Sequence, residues 1–369
     1  MSDTIKSAEA FQLAWKPGSS RLANSGWVRV ETEGGIIGYG EVSPMLGGEH
    51  SIDIINRYIA PMIVGADPLD HAVLYDRALH RLVKLGPEGA VTGALAGIDI
   101  ALWDIKGKLL GEPIYKLLGG AWRTELPFYS SIGGNQDTSV EETLARVERR
   151  WRNEQPSAIK IRLDGDRTRQ DYDLPGDIAK VKAVRALVGP DMPLAFDANN
   201  QYSISGAMRV GRVLEDLGYA WFEEPVQHYH VHAMGEVAQR LSITVSAGEQ
   251  TYTTQALVDL IRSGVRMVQP DIVKMGGITG LMQCAAICFA HGVEFVPHQT
   301  QPGIGHMANL HVLSTVMHMT KPAEYADDTG RTDIAFTHPI GPENGRFRLP
   351  GRPGLGLDIN EDEIAQRRV

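Results

Sequence analysis

Eight short apolar runs recur between residues 126 and 328, and a stretch long enough for a helix follows each of the first seven. They are LPFYSSIG (126–133), AIKIR (158–162), PLAFDAN (193–199), YAWFEEP (219–225), ITVSAGE (243–249), VRMVQPD (265–271), VEFVPH (293–298) and AEYADD (323–328). Short strands alternating with helices through eight repeats are the pattern of a parallel (β/α)8 barrel of the TIM type, whose strands are mostly apolar because both faces are buried. No other feature of the chain restricts the fold as strongly.

The polar residues add a second regularity. At or near its C-terminal end each later run carries an ionisable group: Lys160 and Arg162, Asp197, Glu223 with Glu224, Glu249, Asp271, His298, Glu324. Barrel strands all point the same way, so these ends converge on one mouth, where barrel chemistry sits. A single acid after a strand is more often the N-cap of the next helix; the register across consecutive strands is what argues for a site. The segment AIKIRLDG (158–165) poses the question most sharply. Ile159, Ile161 and Leu163 alternate with Lys160, Arg162 and Asp164, which puts two cations on one strand face about 6–7 Å apart.

Ahead of the barrel, SGWVRVETEGGIIGYGEVSP reads as two strands joined in a hairpin at Gly34-Gly35. Helical stretches follow, the longest being GALAGIDIALWDIKGKLLG, which stops near Gly111 and Pro113. The expected division is an α+β capping domain over 1–122, completed by the Gly/Pro-punctuated segment 340–369, and a barrel domain over 123–339. Cys284 and Cys288, four apart, read as small core residues of a helix. Composition serves to exclude. The formal net charge is −9 with no basic block, which leaves no footprint for nucleic acid or an anionic membrane. An apolar stretch of membrane-spanning length and a signal-like start are both absent, so a cytoplasmic protein is expected.

Asp197, Glu223 and Glu249 come from adjacent strands and would repel one another unless a hard divalent cation lay among them. Oxygen ligands alone point to one Mg2+ and away from zinc. Asp271 and His298 stand on neighbouring strands, about 4.8 Å apart. The aspartate can fix the imidazole tautomer and leave the other nitrogen as a general base or acid. With Lys160 beside them, these groups suit a carboxylate substrate that loses the proton of the adjacent carbon. The enediolate that forms carries extra negative charge on the oxygens the metal would hold, so it is bound better than the ground state.

These motifs together resemble the enolase superfamily and, within it, the mandelate racemase subgroup, over essentially the whole chain. ALAGIDIALWDIKGKLLGEPIYKLLGG is similar to the helical signature of that family's capping domain. FDAN, FEEP and AGEQ resemble its three metal-ligand motifs, and QPDIVKMGG with VPHQ its Asp–His dyad. AEYADD resembles its eighth-strand segment, which implies that Glu324 hydrogen-bonds the substrate carboxylate. KIR falls where the family often carries Lys-x-Lys: Lys160 matches the lysine that contacts the carboxylate, and Arg162 replaces the usual second base. Lys274 lies beyond the strand end and His298 is present, which argues against the members in which a lysine replaces the dyad.

Arginine stays protonated, so Arg162 is expected to contact substrate oxygens. One base suits dehydration of a sugar acid to a 2-keto-3-deoxy acid. The alternative is racemisation or epimerisation of a 2-hydroxy acid by 1,1-proton transfer. Candidate substrate contacts are Asn199, His228 of VQHYHVHAM, Gln299 with Thr300 and Gln301, and, from the capping loops, Trp15, Arg21 and His50. Glu224 is expected to support Glu223. The resemblance also implies a homo-oligomer, either dimer or octamer, with a small carboxylate as its ligand.

Overall fold

The computed structural model describes residues 3–15, 24–299, 303–326, 334–338 and 340–369. Near the N-terminus, β1 (Ile5–Leu13), β2 (Ser25–Thr32) and β3 (Ile37–Glu41) form an antiparallel sheet in that order. The β2–β3 turn sits where the paired glycines suggested, and Gly35 adopts a left-handed φ of 83°. The helix Ala90–Leu110 is apolar almost all round because it is buried between β3 and the barrel helix Gly277–His291. Gly40 permits its approach: a Cβ there would stand 1.9 Å from the carbonyl oxygen of Gly97.

The eight runs form β4 (Glu125–Ile132), β5 (Ala158–Arg162), β6 (Leu194–Asp197), β7 (Trp221–Glu223), β8 (Thr244–Ala247), β9 (Met267–Val268), β10 (Glu294–Phe295) and β11 (Ala323–Tyr325). They pair in parallel in chain order from β4 to β10, and β11 returns to pair with β4. Helices of 10 to 15 residues follow β4 through β10. Ladder pairing in β9 and β10 is shorter than the apolar runs suggested. Pro270 and Pro297 fall just after these strands, and proline has no N–H to donate to a ladder.

Register explains the converging polar ends. Arg162 lies opposite Asp197, and Asp197 opposite Glu223. Beneath this layer Tyr129, Ala158, Ala195, Trp221, Met267 and Val296 pack together as the barrel floor, with the Tyr129 and Trp221 rings 5.2 Å apart. β5 is therefore buried on both faces. Ile159, Ile161 and Leu163 join the layer packed under the helices, while Lys160 points into the barrel.

After the barrel, β12 (Arg346–Arg348) first adds antiparallel to β4. The chain then reaches the capping elements: the Leu355 N–H donates to Asp104, and Arg368 bridges to Leu13. Cys284 and Cys288 are buried and unbridged. Among the described residues no helix is long and apolar enough to cross a membrane.

Candidate active site

Lys160 is the hub of the mouth. It is fully buried, with Nζ 2.6 Å from Glu223, 2.9 Å from Glu324 and 3.9 Å from Asp197. Burial alone would favour the neutral amine; the Glu223 and Glu324 carboxylates outweigh it and hold the ammonium well above its ordinary pKa. Glu324 also accepts the Gln299 N–H at 2.9 Å. Burial pushes this carboxyl up, but Lys160, His298 and Arg162 pull it down further, to about 2.

Asp197, Glu223 and Glu249 each offer a carboxylate oxygen, all within 4.8 Å of one another. Burial, followed by the charge of Glu223, pushes Asp197 well up. Each acid is also steadied from behind. The Asn199 backbone and side-chain nitrogens donate to Asp197 at 2.8 and 3.0 Å. Gln269 Nε2 and Trp221 Nε1 donate to Glu223 at 2.8 and 3.3 Å, and Gln250 to Glu249 at 2.7 Å. A cluster of oriented oxygens with no sulfur or nitrogen donor in the trio fits a hard divalent cation.

His298 stands against this trio. Its Nδ1 lies 2.7 Å from Asp271 and its Nε2 2.9 Å from Glu249. The other Asp271 oxygen accepts the Val273 N–H at 2.9 Å, so the aspartate itself is fixed. Burial would strip the imidazolium of its proton, but the surrounding carboxylates, Glu249 foremost, raise its pKa well above the ordinary value. Arg162 pairs with Asp164, 3.2 Å from its Nη2. Its guanidinium stays charged, burial being outweighed by Asp164 and the ring acids.

The remaining sequence candidates divide. Gln299 is in the site. Asn199 is there too, its amide donating to Asp197 and accepting the Asp164 N–H at 2.7 Å, so it orients an acid. His228 lines a cavity of about 440 Å³ beside the trio, together with Glu88, Glu224, Gln250 and Tyr252. His230 and His232 are exposed around the start of the next helix. Trp15 is a correction: it is buried, its indole donates to Ser25 at 2.8 Å, and it packs edge-on to Trp27 in the core. His50 is another, lying in a surface groove with Asn56, Arg57 and Arg368, none of which belongs to the ring. Arg21, Thr300 and Gln301 lie outside the described residues. Glu224 accepts from the Asn200 amide, and burial and Glu249 raise it to about 8.

One cation escapes sequence reasoning, and a second enters it only as a replacement for the dyad. Arg167, from the loop after β5, brings Nη2 within 3.6 Å of Glu249. Lys274 is 2% exposed, and its charge is felt by Glu249, Asp271 and Tyr252. The run QPDIVKMGG displayed Lys274, but nothing in its spacing shows that the turn after β9 folds it inward. Arg167 sits in a polar loop without periodicity.

Residues 5–119 match the mandelate racemase/muconate lactonizing enzyme N-terminal domain, and residues 142–363 match the enolase C-terminal domain-like family. An arabinonate dehydratase of Saccharolobus solfataricus is 31% identical over 340 residues, covering 90% of this chain and 87% of its own. A D-galactarolactone cycloisomerase of Agrobacterium fabrum is 30% identical over 353 residues, covering 93% and 90%. A crystal structure of a mandelate racemase/muconate lactonizing protein from Paracoccus denitrificans complexed with magnesium superposes with a TM-score of 0.97. It is 65% identical and covers 100% of this chain and 99% of that one.

Proposed function

Because the chain belongs to the mandelate racemase/muconate lactonizing enzyme family of the enolase superfamily, we propose that it is a Mg2+-dependent dehydratase of a sugar acid. It is an enzyme of the carbon–oxygen lyase kind, as are its relatives named dehydratases. The observation that carries the finer reading is the asymmetry of the site. One side holds a histidine oriented by Asp271, and the other an arginine that cannot act as a base.

Asp197, Glu223 and Glu249 would hold the Mg2+, which supplies Lewis-acid stabilisation of negative charge on the substrate's carboxylate oxygens. Lys160 and Arg162 bind and orient that carboxylate, and Glu324 holds the Lys160 ammonium in place. The Glu249 charge that holds the imidazolium proton would be offset by a divalent cation bound there, and neutral His298 Nε2 then takes the proton from the adjacent carbon, the electron pair moving onto the carboxylate as an enediolate. The imidazolium then returns its proton to the 3-hydroxyl, which departs as water when the enediolate collapses. The enol left behind ketonises to the 2-keto-3-deoxy acid. One histidine serves both steps when proton and hydroxyl leave from the same side.

The test is a panel of mono- and dicarboxylic sugar acids incubated with Mg2+ in deuterated water, with keto acid as the readout. Keto acid from at least one of them is expected. Exchange of the α-proton with no keto acid would turn the assignment to a racemase or epimerase.

A further inference from the structure

We infer that Glu41, in the capping domain, is a positioning residue for removal of the α-proton: it fixes the packing behind the Asp271–His298 dyad. The inference rests on the reading of His298 as the base. Glu41 closes β3 and is buried. Its Oε2 accepts the Gly305 N–H at 2.9 Å. Gly305 is the second residue of the helix Ile304–Thr315, which follows β10, and Gly303 at the N-cap has no side chain to offer. The first N–H groups of a helix have no acceptor within it, so an acceptor from outside fixes where the helix begins. Here it comes from the capping sheet, 264 residues away in the chain.

The neighbours of Gly305 connect this contact to the chemistry. There is no room for a side chain: a Cβ on Gly305 would stand 3.1 Å from Val273 Cγ1, 3.3 Å from Glu41 Oε2 and 3.4 Å from Gln299 Nε2. Val273 and Gln299 each hold a residue of the site. The Val273 N–H donates to one Asp271 oxygen, and the other orients His298. Gln299 directly follows His298 and donates its N–H to Glu324. The pinned start of the helix is therefore wedged behind both partners of the dyad. The capping helix backs the same turn: a Cβ on Gly93 would lie 3.6 Å from the Val273 carbonyl oxygen. Close-packed interiors transmit small displacements, and a base misplaced by about 1 Å can cost about 100-fold in rate. Glu41 thus acts through Gly305 and not on the substrate.

The test sets reach against charge. Glu41→Gln keeps an acceptor oxygen at the same reach, Glu41→Asp keeps the acid but falls one methylene short, and Glu41→Ala removes both. The first readout needs no turnover. It is the ring 1H–13C resonance of His298 in the histidine-labelled, Mg2+-loaded protein, identified by its loss in His298→Asn. The resonance should move in Glu41→Asp and Glu41→Ala and stay in place in Glu41→Gln. The second readout is keto-acid formation from a sugar acid that the enzyme turns over. There kcat should fall about 10–100-fold in Glu41→Ala and about 10-fold in Glu41→Asp, and stay within about threefold in Glu41→Gln, while KM and Mg2+ affinity hold within about threefold. Trp103→Phe removes another tie between capping helix and barrel, the bond to Thr279, and should leave both readouts unchanged. If Glu41→Ala does not fold, the comparison of Glu41→Asp with Glu41→Gln decides. An unmoved His298 resonance in Glu41→Asp, an equal loss in Glu41→Gln, or the same loss in Trp103→Phe overturns the positioning role. A resonance that moves as expected while no sugar acid yields keto acid leaves that role standing and refutes the dehydratase.

Discussion

Two buried acids in this molecule, Glu324 and Asp99, are held in opposite ways. At the barrel mouth Glu324 lies against Lys160 and is drawn down to about 2. At the joint between the capping helix and the barrel, Asp99 makes no ion pair among the described residues. It accepts from the Thr279 N–H at 2.9 Å and the Thr279 hydroxyl at 2.5 Å, and burial still pushes it up to about 7. Trp103 donates to the same hydroxyl at 3.0 Å, tying the capping helix to the barrel. Both acids are buried and hydrogen-bonded. Only a fixed cation beside the carboxylate keeps it ionised, because hydrogen bonds from neutral donors repay just part of the lost solvation. The mouth invests in charge and the joint in fit.

If that contrast is right, the mouth should fail through charge and protons while the fold survives. The largest expected effect is removal of the divalent metal, by chelation or by Glu249→Gln. Either leaves substrate charge without its main stabiliser, and turnover should fall by about 10⁴-fold or more. Mg2+ should restore the chelated enzyme but not the variant. Full turnover in excess chelator would remove the metal from the mechanism.

His298→Asn comes next, at about 10³–10⁴-fold. Keto-acid formation and α-proton exchange should disappear together, while Mg2+ binding persists. Exchange that continues in this variant would mean that a second group reaches the α-proton, and the one-base argument would fall. Asp271→Asn should cost about 10²-fold, because it presents a donor where the imidazole N–H needs an acceptor and so favours the wrong tautomer. An effect as large as that of His298→Asn would mean that Asp271 does more than orient the ring.

How far the sequence alone reached follows the same division. The barrel was legible because burial on both faces writes each strand as an apolar run, and the ring because identical strand direction puts every run's end at one mouth. The dyad was legible for the same reason, each partner closing its own strand. Residues whose role depends on reach were not. Asn199 reads as a polar residue facing a ligand, yet its left-handed φ of 46° turns the amide back onto Asp197. Trp15 reads as a loop residue and is taken up by an aromatic cluster with Trp27, which in turn stacks on Phe336 more than 300 residues away. Arg167 crosses from the loop after β5 to an acid on the far side of the mouth, a distance with no counterpart in sequence spacing. Asp99, too, looks like one polar interruption in an apolar helix until Thr279 is placed against it.

The smallest expected effect on turnover belongs to Asp99, and its signature is pH. In the folded protein its pKa is raised to about 7 from 3.8, so between those values the folded state binds more protons than the unfolded state. Stability therefore falls as pH rises through this window, and the contribution of the protonated group is complete only below pH 3.8. Asp99→Asn keeps the shape and carries no charge at any pH. It also presents an amide nitrogen to one of the two Thr279 donors, which should cost about 1–3 kcal/mol wherever wild-type Asp99 is protonated. The variant should be less stable than wild type at pH 4 and gain on it by about 2–4 kcal/mol by pH 8, read from denaturant unfolding at each pH. Its kcat on the metal-loaded enzyme should stay within about twofold, since surface or architectural changes away from the reacting atoms leave barriers nearly unchanged. A difference between variant and wild type that does not change with pH would mean that Asp99 is ionised in the folded state. Hydrogen bonds alone would then suffice to hold a buried charge here, and the contrast with Glu324 would vanish.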